Sequence, residues 1–155
     1  VDFTEPYYYA TIVTLVKNGS KYADAKSVAD LAGATCTSQQ STIWYDTCLP
    51  QIPDANILAA TASAPDMLMS LNADKCDLVV TGKGALVAYP DFKLLEFGGG
   101  ADDFQVTDED INIGISLKKG NTELKEAIDS VLSKMTKDDF SAMMDEAISV
   151  QPLAN

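Results

Sequence analysis

The segment Gln39-Gln40-Ser41-Thr42-Ile43 is where residue types and spacing in this chain offer a binding chemistry. It follows a short apolar run at residues 34–38 that reads as a strand. It leads into residues 41–49, which read as a helix stopped by Pro50. A strand that turns into a helix leaves unpaired backbone N–H groups at the helix start, where the helix dipole also favours an anion. Ser41 and Thr42 add hydroxyl donors at that point, the competing reading being that one of them simply caps the helix. Trp44, Tyr45 and Asp46 follow closely and supply an aromatic wall and a carboxylate. Aromatic walls hold cations as well as apolar groups, whereas Trp44 packed into the core is the structural alternative.

Other chemistries lack their residues. All the basic side chains are Lys, 11 of them against 23 Asp plus Glu, for a formal net charge of -12. Nucleic acid is therefore excluded as a partner, because binding to phosphate backbones depends on clustered cations. Without Arg there is no planar fork for bidentate capture of a carboxylate, so the segment at residues 39–43 is the best anion site available. Without His the commonest general base and metal ligand are missing. No nucleophile motif or carboxylate pair at strand ends is evident, so no catalytic residue is assigned and the chain is read as a non-enzyme. Cys36, Cys48 and Cys76 fit no zinc or redox spacing, and neither a metal nor another cofactor is expected. They read as small buried hydrophobes; a Cys36 bridge to Cys48 or to Cys76 would suit an oxidising compartment.

The elements that must position these residues alternate. Residues 20–33 read as a short helix ending at Gly33. Strands are expected at 34–38, 56–60, 77–81 and 93–97. Helices are expected at 41–49 and 65–73, with a further helical stretch up to Tyr89-Pro90. This alternation implies βαβ units around a parallel sheet, which holds ligands at the carboxyl ends of its strands. After a Gly-rich loop at 98–103 and an acidic run at 108–110, Ile111, Ile113, Ile115 and Leu117 alternate with polar or small residues, the pattern of a half-buried strand. Leu124, Ile128, Val131, Leu132 and Met135 then mark an amphipathic helix. Phe140, Met143, Met144, Ala147 and Ile148 mark a second, capped by Thr136 with Asp139 three residues on. The methionines read as core. At 155 residues and 46% hydrophobic the chain can bury a real core, and no run is long enough to span a bilayer.

The opening Val1-Asp2-Phe3-Thr4-Glu5-Pro6-Tyr7-Tyr8-Tyr9 resembles a hinge signature, Val-Asp-Phe-Ser/Thr-x-Pro-Tyr-Tyr, of the extracytoplasmic solute-binding proteins that serve amino-acid ABC importers. Residues 111–120 resemble that family's returning hinge strand, Ile-Ala-Val-x-Lys-Gly, and the resemblance runs over residues 1–152. It implies an α/β fold of the type 2 periplasmic-binding-protein kind, a three-layer lobe with a central mostly parallel sheet and helices on both faces. Residues 1–17 would be the end of lobe 1 and the first hinge strand. Residues 18–110 would be the second, ligand-closing lobe, and residues 111–155 the returning hinge strand and C-terminal helices. Most of lobe 1 would then lie outside this chain.

The family's carboxylate-binding segment is Gln-x-Gly-Thr-Thr at a helix start. Gln39 and Thr42 keep that pattern, while Ser41 replaces Gly and Ile43 replaces the second Thr. The family's acidic partner for a ligand ammonium group falls on Gly82, and Asp77 matches its structural aspartate. The resemblance therefore implies a ligand site at Gln39, Ser41, Thr42, Ile43, Trp44 and Gly82, with Tyr8 from the hinge. The ligand would be a small polar molecule, an amino acid or related carboxylate. The implied partner is an ABC permease, with a homodimer through surface left by the missing lobe, at an extracytoplasmic location as a periplasmic protein or cell-surface lipoprotein. A ligand-sensing domain of a membrane receptor is the alternative.

Overall fold

A computed structural model describes residues 1–85 and 90–150. The expected helical stretch before Pro90 begins as a 3₁₀ turn, Lys83–Ala85, and its remainder lies outside the described residues. In chain order the strands are β1 (Asp2–Phe3), β2 (Tyr8–Tyr9), β3 (Ile12–Lys17), β4 (Thr35–Thr37), β5 (Asn56–Ile57), β6 (Leu78–Gly82), β7 (Phe92–Leu95), β8 (Asn112–Ile113) and β9 (Ser116–Leu117). The α-helices are α1 (Ala64–Asn72), α2 (Asp108–Ile111), α3 (Thr122–Leu132) and α4 (Lys137–Ser149). They divide into a sheet unit, Thr11–Val106, and a terminal unit made of residues 1–10 and the described residues from Thr107 onward.

The sheet unit is α/β, with strand order β5-β4-β6-β3-β7. The pairs β4–β5 and β4–β6 are parallel, and β3 runs antiparallel to both β6 and β7. Four of the five strands thus point one way, giving the mostly parallel sheet expected from the sequence. The run Ile12-Val13-Thr14-Leu15-Val16 is buried throughout, as a strand covered on both faces must be. Leu15 and Val79 sit side by side in register and form a core with Met67, Leu68 and Leu71 of α1. Leu15 is 1% exposed, and burying such a side chain stabilises by roughly 1.5–3 kcal/mol.

Helix α1 begins where the sequence placed it. Ser63 accepts from the Asp66 N–H, Pro65 occupies the first turn where no donor is needed, and the chain turns left-handed at Asp74 (φ 56°). Side chains alternate across a strand, so Gly82 faces away from Val79 and α1. That opposite face is covered by a helical turn at Trp44–Cys48, continued by Leu49–Gln51.

Several expected elements are shorter than their patterns. Residues 20–33 form turns and one 3₁₀ turn, Ala29–Leu31, rather than a helix; Gly33 does take the left-handed conformation, φ 73°. The helix expected at 41–49 is a π-helical turn that starts only at Trp44, because Ser41 is itself left-handed at φ 59°. The turn ends at Cys48, and Pro50 sits in the first positions of the 3₁₀ turn that follows, Leu49–Gln51, where its fixed φ and missing N–H are tolerated. The strand at 56–60 is confined to Asn56–Ile57, with one further parallel bridge, Gln39 to Thr61.

In the terminal unit β1 pairs with β9 and β2 with β8, both antiparallel. The expected continuous strand at 111–120 is interrupted. Pro6 opposite it has no N–H, and the Thr4 hydroxyl takes a ladder position by accepting from the Ile115 N–H at 2.9 Å. The acidic run Asp108-Glu109-Asp110 opens the short helix α2. Tyr7 packs on Phe140 with ring centroids 5.3 Å apart, and Thr136 caps α4 as expected. Most of the large exposed apolar side chains among the described residues belong to this unit: Val1, Phe3, Tyr9, Ile113, Ile115, Leu124, Val131, Met143 and Val150. Its buried apolar side chains are Leu117 and Phe140, so Met143, expected in a core, lies on the surface. Met69 of α1 is also exposed, and Met67 is fully buried.

Candidate functional site

The site is built at the carboxyl ends of β4 and β6. At the end of β4 the Ser38 hydroxyl donates to Val80 O at 2.6 Å, locking the exit of β4 to β6. Gln39, half-buried, bridges to Thr61, and the Gln40 N–H donates to Thr61 O at 2.9 Å. The chain then reverses through left-handed Ser41, an exposed residue.

Thr42 closes this reversal from inside. Its hydroxyl donates to Gln39 O at 2.7 Å and accepts from the Tyr45 N–H at 3.4 Å, while its carbonyl accepts from the Asp46 N–H. The Thr42 side chain is thus occupied in shaping the turn. Ile43 and Trp44 follow, both half-buried. The turn is pinned at both ends: Tyr45 donates its hydroxyl to Leu58 O at 2.9 Å. Gln51 and Gln105 exchange bonds, with Gln51 Nε2 donating to Gln105 O and the Gln105 N–H donating to Gln51 Oε1.

Trp44 lies on Gly82. A Cβ at position 82 would stand 3.4 Å from Trp44 Cη2 and 2.9 Å from Cζ2, the latter too close unless the ring shifts. The backbone at Gly82 is not left-handed, so what opposes a side chain there is the indole ring, which would have to move. Trp44 Nε1 is buried without a hydrogen-bond partner, a donor whose partner is missing at a cost of about 1–3 kcal/mol.

Of the residues singled out in the sequence, Gln39, Ser41, Thr42, Ile43 and Trp44 lie on this one turn, and Gly82 lies beneath Trp44. Tyr8 belongs to the terminal unit, half-buried on β2 opposite Ile113. Sequence reasoning passed over Lys83, which follows Gly82 directly and pairs with Glu96 at 3.6 Å. The signal was present, a cation immediately past a buried strand.

The geometry offers an aromatic surface, an indole donor and a backbone reversal, and little acid–base chemistry. Burial pushes the thiols of Cys36 and Cys76 up to about 11, away from nucleophilic use. All three cysteines are buried and unbridged. Among the described residues no cluster of His, Cys, Asp and Glu could hold a metal ion, and no helix is long and apolar enough to cross a membrane. A separate open groove of about 450 Å³ runs between residues 23–26 and β7, where Asp24 and Lys93 pair at 3.1 Å.

Comparison with known proteins agrees with this architecture. Residues 1–147 match the family model described as bacterial extracellular solute-binding proteins, family 3. Among solved structures, an amino acid ABC transporter substrate-binding protein from Streptococcus pneumoniae bound to L-arginine superposes with a TM-score of 0.73 at 23% identity, over 98% of this chain and 62% of that one. Holo ArgBP from T. maritima gives 0.63 at 25% identity, over 90% and 59%. The ancestral amino-acid-binding protein AncCDT-1, a precursor of cyclohexadienyl dehydratase, gives 0.60 at 22% identity, over 94% and 60%. The chain therefore spans about three fifths of the length of these structures. A search of curated protein sequences finds no match.

Proposed function

The chain belongs to the bacterial extracellular solute-binding proteins of family 3, and on that premise we propose that it is the ligand-closing part of a receptor for an ABC importer. The receptor captures a small polar ligand, an amino acid or related carboxylate, between two lobes. The observation that carries this reading is the turn at residues 39–44, which opens outward at the carboxyl ends of parallel strands beside the Trp44–Gly82 wall. Ligands of open α/β sheets bind at that edge. Residues 18–110 act as the closing lobe, and residues 1–17 and 111–120 as hinge strands. Its working place is extracytoplasmic, opposite a membrane permease.

Closure about a hinge requires two lobes. About two fifths of each related structure has no counterpart in this chain, and closure on a ligand brings in contact with a second lobe. The exposed apolar residues of the terminal unit support a surface for that contact, which a second copy of the chain covers when nothing else does. Analytical ultracentrifugation reads this directly: a dimer is expected, and a monomer at high concentration rejects self-association.

A thermal-shift screen against amino acids, small carboxylates and amines tests the receptor reading. A ligand present at a hundred times its Kd stabilises by about 2.7 kcal/mol. The expected result is a small shift with one chemical class, abolished by Trp44→Ala. Uniform silence across the panel at tens of millimolar, with the chain folded, refutes the site.

A further inference from the structure

We propose that Trp44, seated on Gly82, sets the chemical class of the ligand: a carboxylate whose part facing the end of β6 is apolar or aromatic and carries no ammonium group. The inference rests on the ligand site proposed above. It starts from a steric fact. Any side chain at position 82 would meet the indole at 2.9 Å, so this point of the wall holds a ring edge and backbone, and no carboxylate projects from it.

A cation brought out of water against that wall needs an acid beside it. The next residue along is itself a cation, Lys83, and the acid paired with it is Glu96 at 3.6 Å. Asp46, two residues beyond Trp44, is exposed to water. An ammonium group at this point would lose its hydration with no carboxylate at position 82 to receive it. An apolar or aromatic group loses nothing of that kind and gains the half-buried face of the indole.

The indole also carries an unmet need. Its Nε1–H is buried with no acceptor, so a small rotation of the ring toward a ligand oxygen makes a bond that the free chain lacks. The π-helical turn at Trp44–Cys48, a rare geometry often placed at working sites, presents the ring in this position. An acceptor oxygen on an otherwise apolar body satisfies both the wall and the donor.

Trp44 is the one tryptophan of the chain, so its emission reports on this point alone. The test titrates the chain with 3-phenylpropanoate, L-phenylalanine and L-arginine, following Trp44 emission and, in parallel, heat. The first two probes share a skeleton and differ by the α-ammonium group. The expected result is an emission change with 3-phenylpropanoate at a concentration about tenfold lower than with either amino acid. Trp44→Phe keeps an aromatic wall but no N–H donor; it weakens 3-phenylpropanoate binding several-fold by calorimetry and preserves the order of the probes. Gly82→Asp displaces the ring and reverses the order. Tighter binding of L-phenylalanine or L-arginine with an emission change overturns this inference and leaves the site in place. Heat without emission change, or no binding of any probe, removes the site and the inference together.

Discussion

Thr35 and Asp77 hold each other reciprocally. The Thr35 N–H donates to Asp77 Oδ2 at 2.8 Å, and the Asp77 N–H donates to Thr35 O at 2.8 Å. The pair fastens the start of β4 to the start of β6, and so fixes the register that carries Ser38 and Gly82 to the same end of the sheet.

Asp77→Ala removes the acceptor and leaves the Thr35 N–H to water. Asp77 is exposed, so the loss is about 1 kcal/mol. Asp77→Asn retains an acceptor and loses less. Urea unfolding of the three proteins ranks them, and an alanine variant as stable as the parent would show that the pair is dispensable.

Acid loosens the terminal unit. Bonds from Thr107 to Asp110 and from Thr136 to Asp139 hold both carboxyls below their usual range, and the Lys125 side chain does the same for Asp129. A carboxyl whose folded pKa lies below its unfolded value adds stability above the unfolded value, near pH 4, and that stability fades as pH falls through the folded one. Helical circular dichroism followed downward from pH 6 is expected to hold steady and then fall below about pH 4. Asp139→Asn is expected to reduce that dependence; a gain of structure on acidification would contradict the assignment.

The thiols are silent in the folded chain. With pKa values near 11, Cys36 and Cys76 are about 0.1% thiolate at pH 8, and burial shields all three cysteines further. A disulfide reagent at pH 8 should react at least about tenfold more slowly with the native chain than with the urea-unfolded one. Rapid native labelling would mean that the sheet opens far more readily than its packing implies.

Amide exchange separates the two units. β3 and β6 are buried throughout, so their amides exchange slowest. The two-residue ribbons of the terminal unit, with Ile113 and Ile115 partly exposed, exchange early. Equal protection in both units would show a cooperative whole that the burial pattern does not suggest.

Strong periodicity and explicit caps made much of this fold readable beforehand. The apolar run at 12–16 lies in the strand that the resemblance implied after the hinge segment. Pro65 and the Met67, Leu68, Leu71 face announced α1, whose Ser63 cap went unread, and Thr136 with Asp139 announced α4. Illegible features depended on contacts remote in sequence. The late helical start at Trp44 follows from left-handed Ser41, a conformation that serine seldom takes and that no pattern signals. The break in residues 111–120 is imposed by Pro6 and Thr4 at the other end of the chain. At the site, Gly82 was visible as a missing acid, while the ring that explains it became visible only once β6 and the turn at 44–48 were brought together.

The interior place of β3 has a kinetic consequence. Its partners are far downstream, Leu15 lying beside Val79 on one edge and Leu94 on the other. The strand synthesised first in the sheet must wait for those made later, and long loops have to close before any of its backbone bonds form. Topologies of this kind fold slowly. Until β6 emerges from the ribosome, Ile12-Val13-Thr14-Leu15-Val16 is an unpaired, aggregation-prone stretch, and one edge stays open until β7 follows, which makes it the natural place for a chaperone to hold the nascent chain.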